Sequence, residues 1–185
     1  RTIGKSFGII HIDAHFDLCD TLSGDALSHG CTERRALELE NVTGPENLFF
    51  IGIRSIEPQE LAFIQKTPVP VVNARDYSRM GTAAVVEKAK AALGHFGSLY
   101  IALEMAALDP AYAPGTGTPQ LGGLTARELL DLLEGLFELP VIGFDVVEVA
   151  PALDASWTSV FAARKIVMEC WGHVMRKAGL RLGKR

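Results

Sequence analysis

The chain has 185 residues, 48% hydrophobic and 22% charged, and carries a formal net charge of −4. That balance supplies one domain with a sizeable core, and its acidity argues against a nucleic-acid or anionic-membrane surface. A membrane span is excluded because the longest weakly charged stretch, Ala89 to Leu108, is broken by Lys90, Gly94, His95, Gly97 and Glu104, and no signal-peptide pattern is present.

The first predicted element is the apolar run from Phe7, which ends abruptly in Asp13-Ala14-His15-Phe16-Asp17. In an extended segment, residues two apart point the same way, so Asp13, His15 and Asp17 can converge as the strand opens into a loop. Two carboxylates and an imidazole suit Mn, Fe or Zn. The same letters also suit a strand end entering a solvated turn.

A polar loop, Leu18 to Gly30, follows and contains Ser28-His29-Gly30. Cys31 to Glu40 reads as a short helix, Leu48 to Ile53 as the second strand, and Pro58 to about Lys66 as a helix with Pro at its start. Val69 to Val72 is a third strand interrupted by Pro70. Thr82 to Leu93 is an Ala-rich helix, and Ser98 to Glu104 a fourth strand that is apolar until Glu104.

The long loop Leu108 to Pro119 leads to Thr125-Ala126-Arg127-Glu128, a capping box that opens a helix to about Phe137. Val141 to Val147 is the fifth strand, ending in Glu148, and about Ser156 to Ala178 the last helix. The basic tail, Arg176-Lys177 and Arg181 to Arg185, is read as a frayed, solvated terminus.

Alternating strands and helices predict an α/β fold: a parallel sheet with right-handed crossovers and helices on both faces. In such sheets ligands sit beyond the C-terminal strand ends, where Asp13, His15, Asp17, Arg54, Glu104 and Glu148 fall. Glu104 reads equally as a ligand or as an edge carboxylate paired with Arg54 or another cation. His11 and Asp145, inside apolar strands, read as satisfied buried polar groups. Gly115-Thr116-Gly117 is no phosphate loop, because no Lys-Ser/Thr follows it. Cys19, Cys31 and Cys170 lack C-x-x-C spacing, which points to a reducing, cytoplasmic compartment. A first residue that is not Met, Arg1, suggests that upstream residues are omitted.

At these residues the sequence resembles the ureohydrolases, the arginase and agmatinase group, agmatinase-like members above all. Asp13-Ala14-His15-Phe16-Asp17 is similar to the family's D-A-H-x-D motif, Ser28-His29-Gly30 to its S-H-G loop, and Ile51-Gly52-Ile53-Arg54-Ser55 to its G-I-R segment. Asp109 to Pro119 with Gly122-Gly123-Leu124-Thr125 resembles its long loop, and Asp145 to Val149 with Pro151 its last signature. The motifs keep the family order over residues 7 to about 170.

The resemblance implies a three-layer αβα sandwich made by residues 1–185 as a single ureohydrolase-like domain that lacks its N-terminal portion. It also implies hydrolysis of a small, linear, agmatine-like guanidino compound to urea and an amine by a hydroxide held between two manganese ions. By position, Asp13 would bridge the metals and His15 and Asp17 would each bind one; His29 would shuttle a proton and Glu148 would hold the guanidinium. Homologous proteins form trimers or hexamers, so a homo-oligomer is expected.

The sequence departs from the pattern where the family carries S-F-D-x-D. Here the residues are Ala102-Leu103-Glu104-Met105-Ala106: Glu104 keeps a carboxylate on a longer stem, and Ala106 offers none. The family's upstream Gly-Gly-Asp-His segment has no counterpart before Arg1. Impaired catalysis is therefore expected, and the alternative is an inactive homologue or truncated form serving as a structural or oligomer subunit.

Overall fold

A computed structural model describes residues 4–179; the basic residues Arg181 to Arg185 lie outside the described residues. The core is a parallel sheet of five strands among the described residues: β1 (Gly8–Ile12), β2 (Leu48–Ile51), β3 (Val71–Val72), β4 (Leu99–Glu104) and β5 (Val141–Val147), in the order β3-β2-β1-β4-β5. The central strand, β1, is buried along its whole length, as a parallel strand covered on both faces must be. Its neighbours lock its register, Ile12 pairing with Ile51 of β2 and with Leu103 of β4.

The two faces of the sheet are covered by different helices. On one face Ile10, Ile12, Ile51, Ile101 and Leu103 pack against α4 (Thr82–Leu93), α5 (Ala126–Leu136) and α6 (Thr158–Lys177). Each helix buries a stripe at helical spacing: Val85, Val86, Ala89 and Leu93 in α4, and Leu129, Leu132, Leu133 and Leu136 in α5. Full burial of each large side chain contributes about 1.5–3 kcal/mol. On the other face Ile9, Leu48 and Phe50 meet residues of α1 (Thr32–Ala36) and α2 (Pro58–Lys66). These three layers are the αβα sandwich.

Local chemistry sets the helix starts. Both halves of the α5 capping box form: the Glu128 N–H donates to Thr125 Oγ1 at 3.1 Å, and the Thr125 N–H to Glu128 Oε2 at 2.8 Å. One helix, α3 (Ala74–Met80), was not expected from the sequence. It buries only Ala74 and Tyr77, so it lacks an apolar stripe, and its start is set by Asn73, whose side chain accepts the Asp76 N–H at 2.8 Å. β3 is shorter than predicted; Pro70 stays outside it, although its carbonyl still accepts the Phe50 N–H at 2.9 Å.

Candidate metal centre

β1 ends at Ile12, and the chain then turns across the C-terminal rim of the sheet. The Asp13 N–H still donates to the Ile51 carbonyl at 3.0 Å, while the His15 N–H folds back onto Asp13 Oδ2 at 2.8 Å. Asp17 has φ +54°, a left-handed conformation fixed by its surroundings. Its carbonyl accepts the N–H groups of Glu33 and Arg34, each at 3.1 Å, and its Oδ2 accepts the Thr32 hydroxyl at 3.1 Å. Gly52, at φ +94°, lets β2 pass close by, since a Cβ there would stand 3.0 Å from the Asp13 carbonyl oxygen.

Four buried side chains gather at this rim: His11, Asp13, Asp17 and Glu104, with one ligand atom of each lying within 4.8 Å of all the others. Period two puts His11 and Asp13 on one side of β1, and the β1–β4 register brings Glu104 alongside. His15 stands next to the group rather than in it, with Nδ1 3.2 Å from Asp13 Oδ2. The strand alternation that would align it with Asp13 and Asp17 stops at Ile12.

The electrostatics are those of charges crowded together without water. Burial raises the Glu104 carboxyl, and the charges of Asp13 and Asp17 raise it further, to about 10. Burial also pushes up Asp17. At Asp13 burial acts the same way but is outweighed by hydrogen bonds from His11 and His15, which hold this carboxyl well below its usual range. Burial disfavours a charged His11, yet its contacts with Asp13 and Glu33 prevail and hold it well above its ordinary value. Both the raised Glu104 and the raised His11 lessen the negative charge that the cluster carries without a cation.

That compromise leaves Asp13 Oδ1 buried with no hydrogen-bond partner. An orphaned carboxylate oxygen among two further carboxyls and an imidazole fits a divalent cation, which takes such oxygen and nitrogen donors directly.

Beside the cluster lies a cleft of about 140 Å³ lined by His15, Asp17, His29, Ser55, Glu60 and Thr118 among others. His29 is exposed at its mouth. Glu148 leaves β5 with φ +63°, half-buried, and faces the long loop, where a Cβ on Gly117 would stand 3.9 Å from its Oε2. Glu148 and His29 are not among the four gathered groups.

Arg54 does not pair with Glu104. Its guanidinium donates to the carbonyls of Gly52, Ala106, Leu108, Gln120 and Leu121, at 2.8 to 3.3 Å, and anchors the long loop. Ala106 is fully buried and meets Arg54 through its carbonyl. Asp145 is satisfied, accepting the Leu103 N–H and the Tyr100 hydroxyl, each at 3.1 Å.

Two contributors escaped the sequence reading, Glu33 and Glu60, while His11, read there as a satisfied buried polar group, is hydrogen-bonded as expected and also stands in the cluster. Glu60 closes a capping box with Glu57 and accepts the Leu18 N–H at 2.9 Å, which holds the loop after Asp17. The letters E-P-Q-E at 57–60 carried that signal. For His11 the signal was a polar residue inside a buried strand, two before Asp13.

The Arginase family model matches residues 1–172. Among curated proteins, the guanidinopropionase of Pseudomonas aeruginosa is 34% identical over 174 residues, covering 91% of this chain and 54% of that protein. The agmatinase of Halalkalibacterium halodurans is 38% identical over 171 residues, with 90% and 55% covered. Among solved structures, the proclavaminate amidino hydrolase of Streptomyces clavuligerus superposes with a TM-score of 0.84 at 32% identity, covering 92% of this chain and 57% of that one. The chain thus spans about half the length of the curated relatives it matches.

Proposed function

The chain belongs to the arginase family, and from that premise we propose that it hydrolyses a carbon–nitrogen bond of a small, linear guanidino compound, releasing urea and an amine. The observation that carries the reading is the buried His11, Asp13, Asp17 and Glu104 group with its orphaned Asp13 oxygen, set at the strand ends beside a cleft. The relatives' names, guanidinopropionase and agmatinase, supply the substrate class. Manganese is the proposed cation, since hard carboxylates with imidazole suit it.

A bound divalent cation supplies a water of lowered pKa and Lewis-acid polarisation of the substrate. Asp13, His15, Asp17 and Glu104 would hold such a cation. His29, at the cleft mouth, passes a proton toward the departing amine. Glu148 receives the planar guanidinium through charge-assisted hydrogen bonds. We take residues 1–185 as one ureohydrolase-like unit, cytoplasmic in setting; no helix among the described residues is long and apolar enough to cross a membrane. A homo-oligomer, trimer or hexamer, is proposed as well, on the support of Ile142 and Trp171, which are 54% and 55% exposed.

A second reading, a non-catalytic subunit that keeps the fold, draws on Ala106, buried near the site with no ligand to offer. Urea release from agmatine, guanidinopropionate and guanidinobutyrate, measured with manganese and with chelator, separates the two. Slow, cation-dependent urea formation from at least one substrate is expected. No urea from any of them at saturating manganese leaves the second reading.

A further inference from the structure

Helix α6 is apolar on two opposite sides. Its inner stripe, Ser159, Ala163, Ile166, Cys170 and His173, is buried against the rest of the fold. Half a turn away around the helix lie Trp157, Phe161, Met168, Trp171 and Met175, from 37% exposed at Met175 to 62% at Phe161. With Arg164 they recur in steps of four and three residues, from Trp157 at the N-cap to the last turn. That is the spacing of a seam that receives another helix. A surface helix ordinarily gives its outer face to charged residues; here that face carries two Trp, one Phe and two Met.

The area is sufficient for a stable contact. A large aromatic side chain can bury about 150–250 Å², so at these exposures the five side chains offer roughly 500 Å² per chain. Two copies face to face would remove roughly 1,000 Å² from water, the size at which a contact becomes specific. Trp171 is already held in place by Phe144 of β5, edge-on with ring centroids 5.7 Å apart, so pairing orders little that is not ordered beforehand.

The stripe also complements itself when reversed. In an antiparallel pair centred on Met168, Phe161 meets Met175 of the second copy, while Arg164 and Lys165 meet its Gly172 and Trp171. A cation over the Trp171 ring is a favourable contact, and Gly172 leaves room for it, since a Cβ there would meet nothing within 4 Å.

We infer that the outer stripe of α6 is the interface through which two copies of this chain pair, antiparallel, about a two-fold axis at Met168. The inference rests on the oligomeric reading above and deepens it, because a two-fold contact is available in a hexamer and absent from a trimer.

Sedimentation velocity of the full chain across the micromolar range, beside Met168→Glu, tests it, with fold checked by circular dichroism. The parent should form even-numbered species. Met168→Glu sets two like charges against each other at the axis and should weaken association by more than about 100-fold, the loss expected at the centre of an interface. Met168→Cys should cross-link to a second copy when treated with oxidised glutathione, two protein thiols giving one disulfide and two reduced glutathiones. Phe161→Cys, set against Met175, should not; Cys19, Cys31 and Cys170 are buried and do not compete. Should Met168→Glu fail to fold, the two cysteine variants decide. A monomeric parent overturns both the pairing and the oligomeric reading. Association undiminished by Met168→Glu, or Phe161→Cys cross-linking as readily as Met168→Cys, overturns the pairing alone and leaves the oligomer to another surface.

Discussion

Two regions of this molecule bury carboxylates in opposite ways. Around α6 and the long loop two aspartates have both oxygens answered: Asp154 accepts from Ser156 and Ser159, and Asp109 from the N–H groups of Ala111, Gly122 and Gly123. Both carboxyls are accordingly held below their usual range. At the strand ends, Asp13, Asp17 and Glu104 face one another, one oxygen has no partner, and Glu104 rises to about 10. Satisfied acids build loops, whereas unsatisfied acids crowded at a rim store a binding site.

Breaking the rim should have the largest effect. Asp13→Asn removes the carboxylate that faces both His11 and His15, and divalent-cation affinity should fall by more than about 100-fold, beyond the range for an outer partner; calorimetry reads the loss directly. On the satisfied side, Arg54→Met strips the long loop of its carbonyl anchor. A loss of about 2–3 kcal/mol in denaturant unfolding is expected, because several buried carbonyls lose a charged donor at once.

The sharpest contrast comes from removing one acid from each region. At neutral pH the unfolded chain releases the Glu104 proton while the folded, cation-free chain keeps it, which favours unfolding. Glu104→Gln should therefore raise the melting temperature in chelator, by roughly 2–4 °C for each kcal/mol recovered, even as it weakens cation binding.

Asp154 is the reverse case. Hydrogen bonds from Ser156 and then Ser159 depress its carboxyl from 3.8 to about 2, so its contribution is present above the unfolded value and is lost as pH falls toward about 2. Asp154→Asn should lower the melting temperature above pH ~4 and converge with the parent below pH ~2, since the linked proton is then bound in both states. A melting series across that window, run with chelator, checks it.

The layered scaffold was legible because its signals are local. Apolar runs ending in turns marked the strands, and Thr125 with Glu128 announced a helix whose cap forms as written. α3 was not legible, because a helix held by one Asn cap and a buried Tyr leaves no stripe to read. At the rim, Asp13, Asp17 and Glu104 were named from their places at strand ends. His11 was read as a satisfied buried polar group and is hydrogen-bonded on both ring nitrogens, while His15, expected as a ligand, lies 3.2 Å from Asp13 Oδ2.

Residue order alone set the alternation of strands and helices, the acidic balance and the kinds of side chain that reach the strand ends, since period, capping and charge act within a few residues. Which atoms meet was decided by tertiary structure. The β1–β4 register carries Glu104 to Asp13, and the crossover through α1 returns Glu33 to His11, 22 residues away. Contacts between distant segments follow from how the layers pack, and no local pattern encodes them.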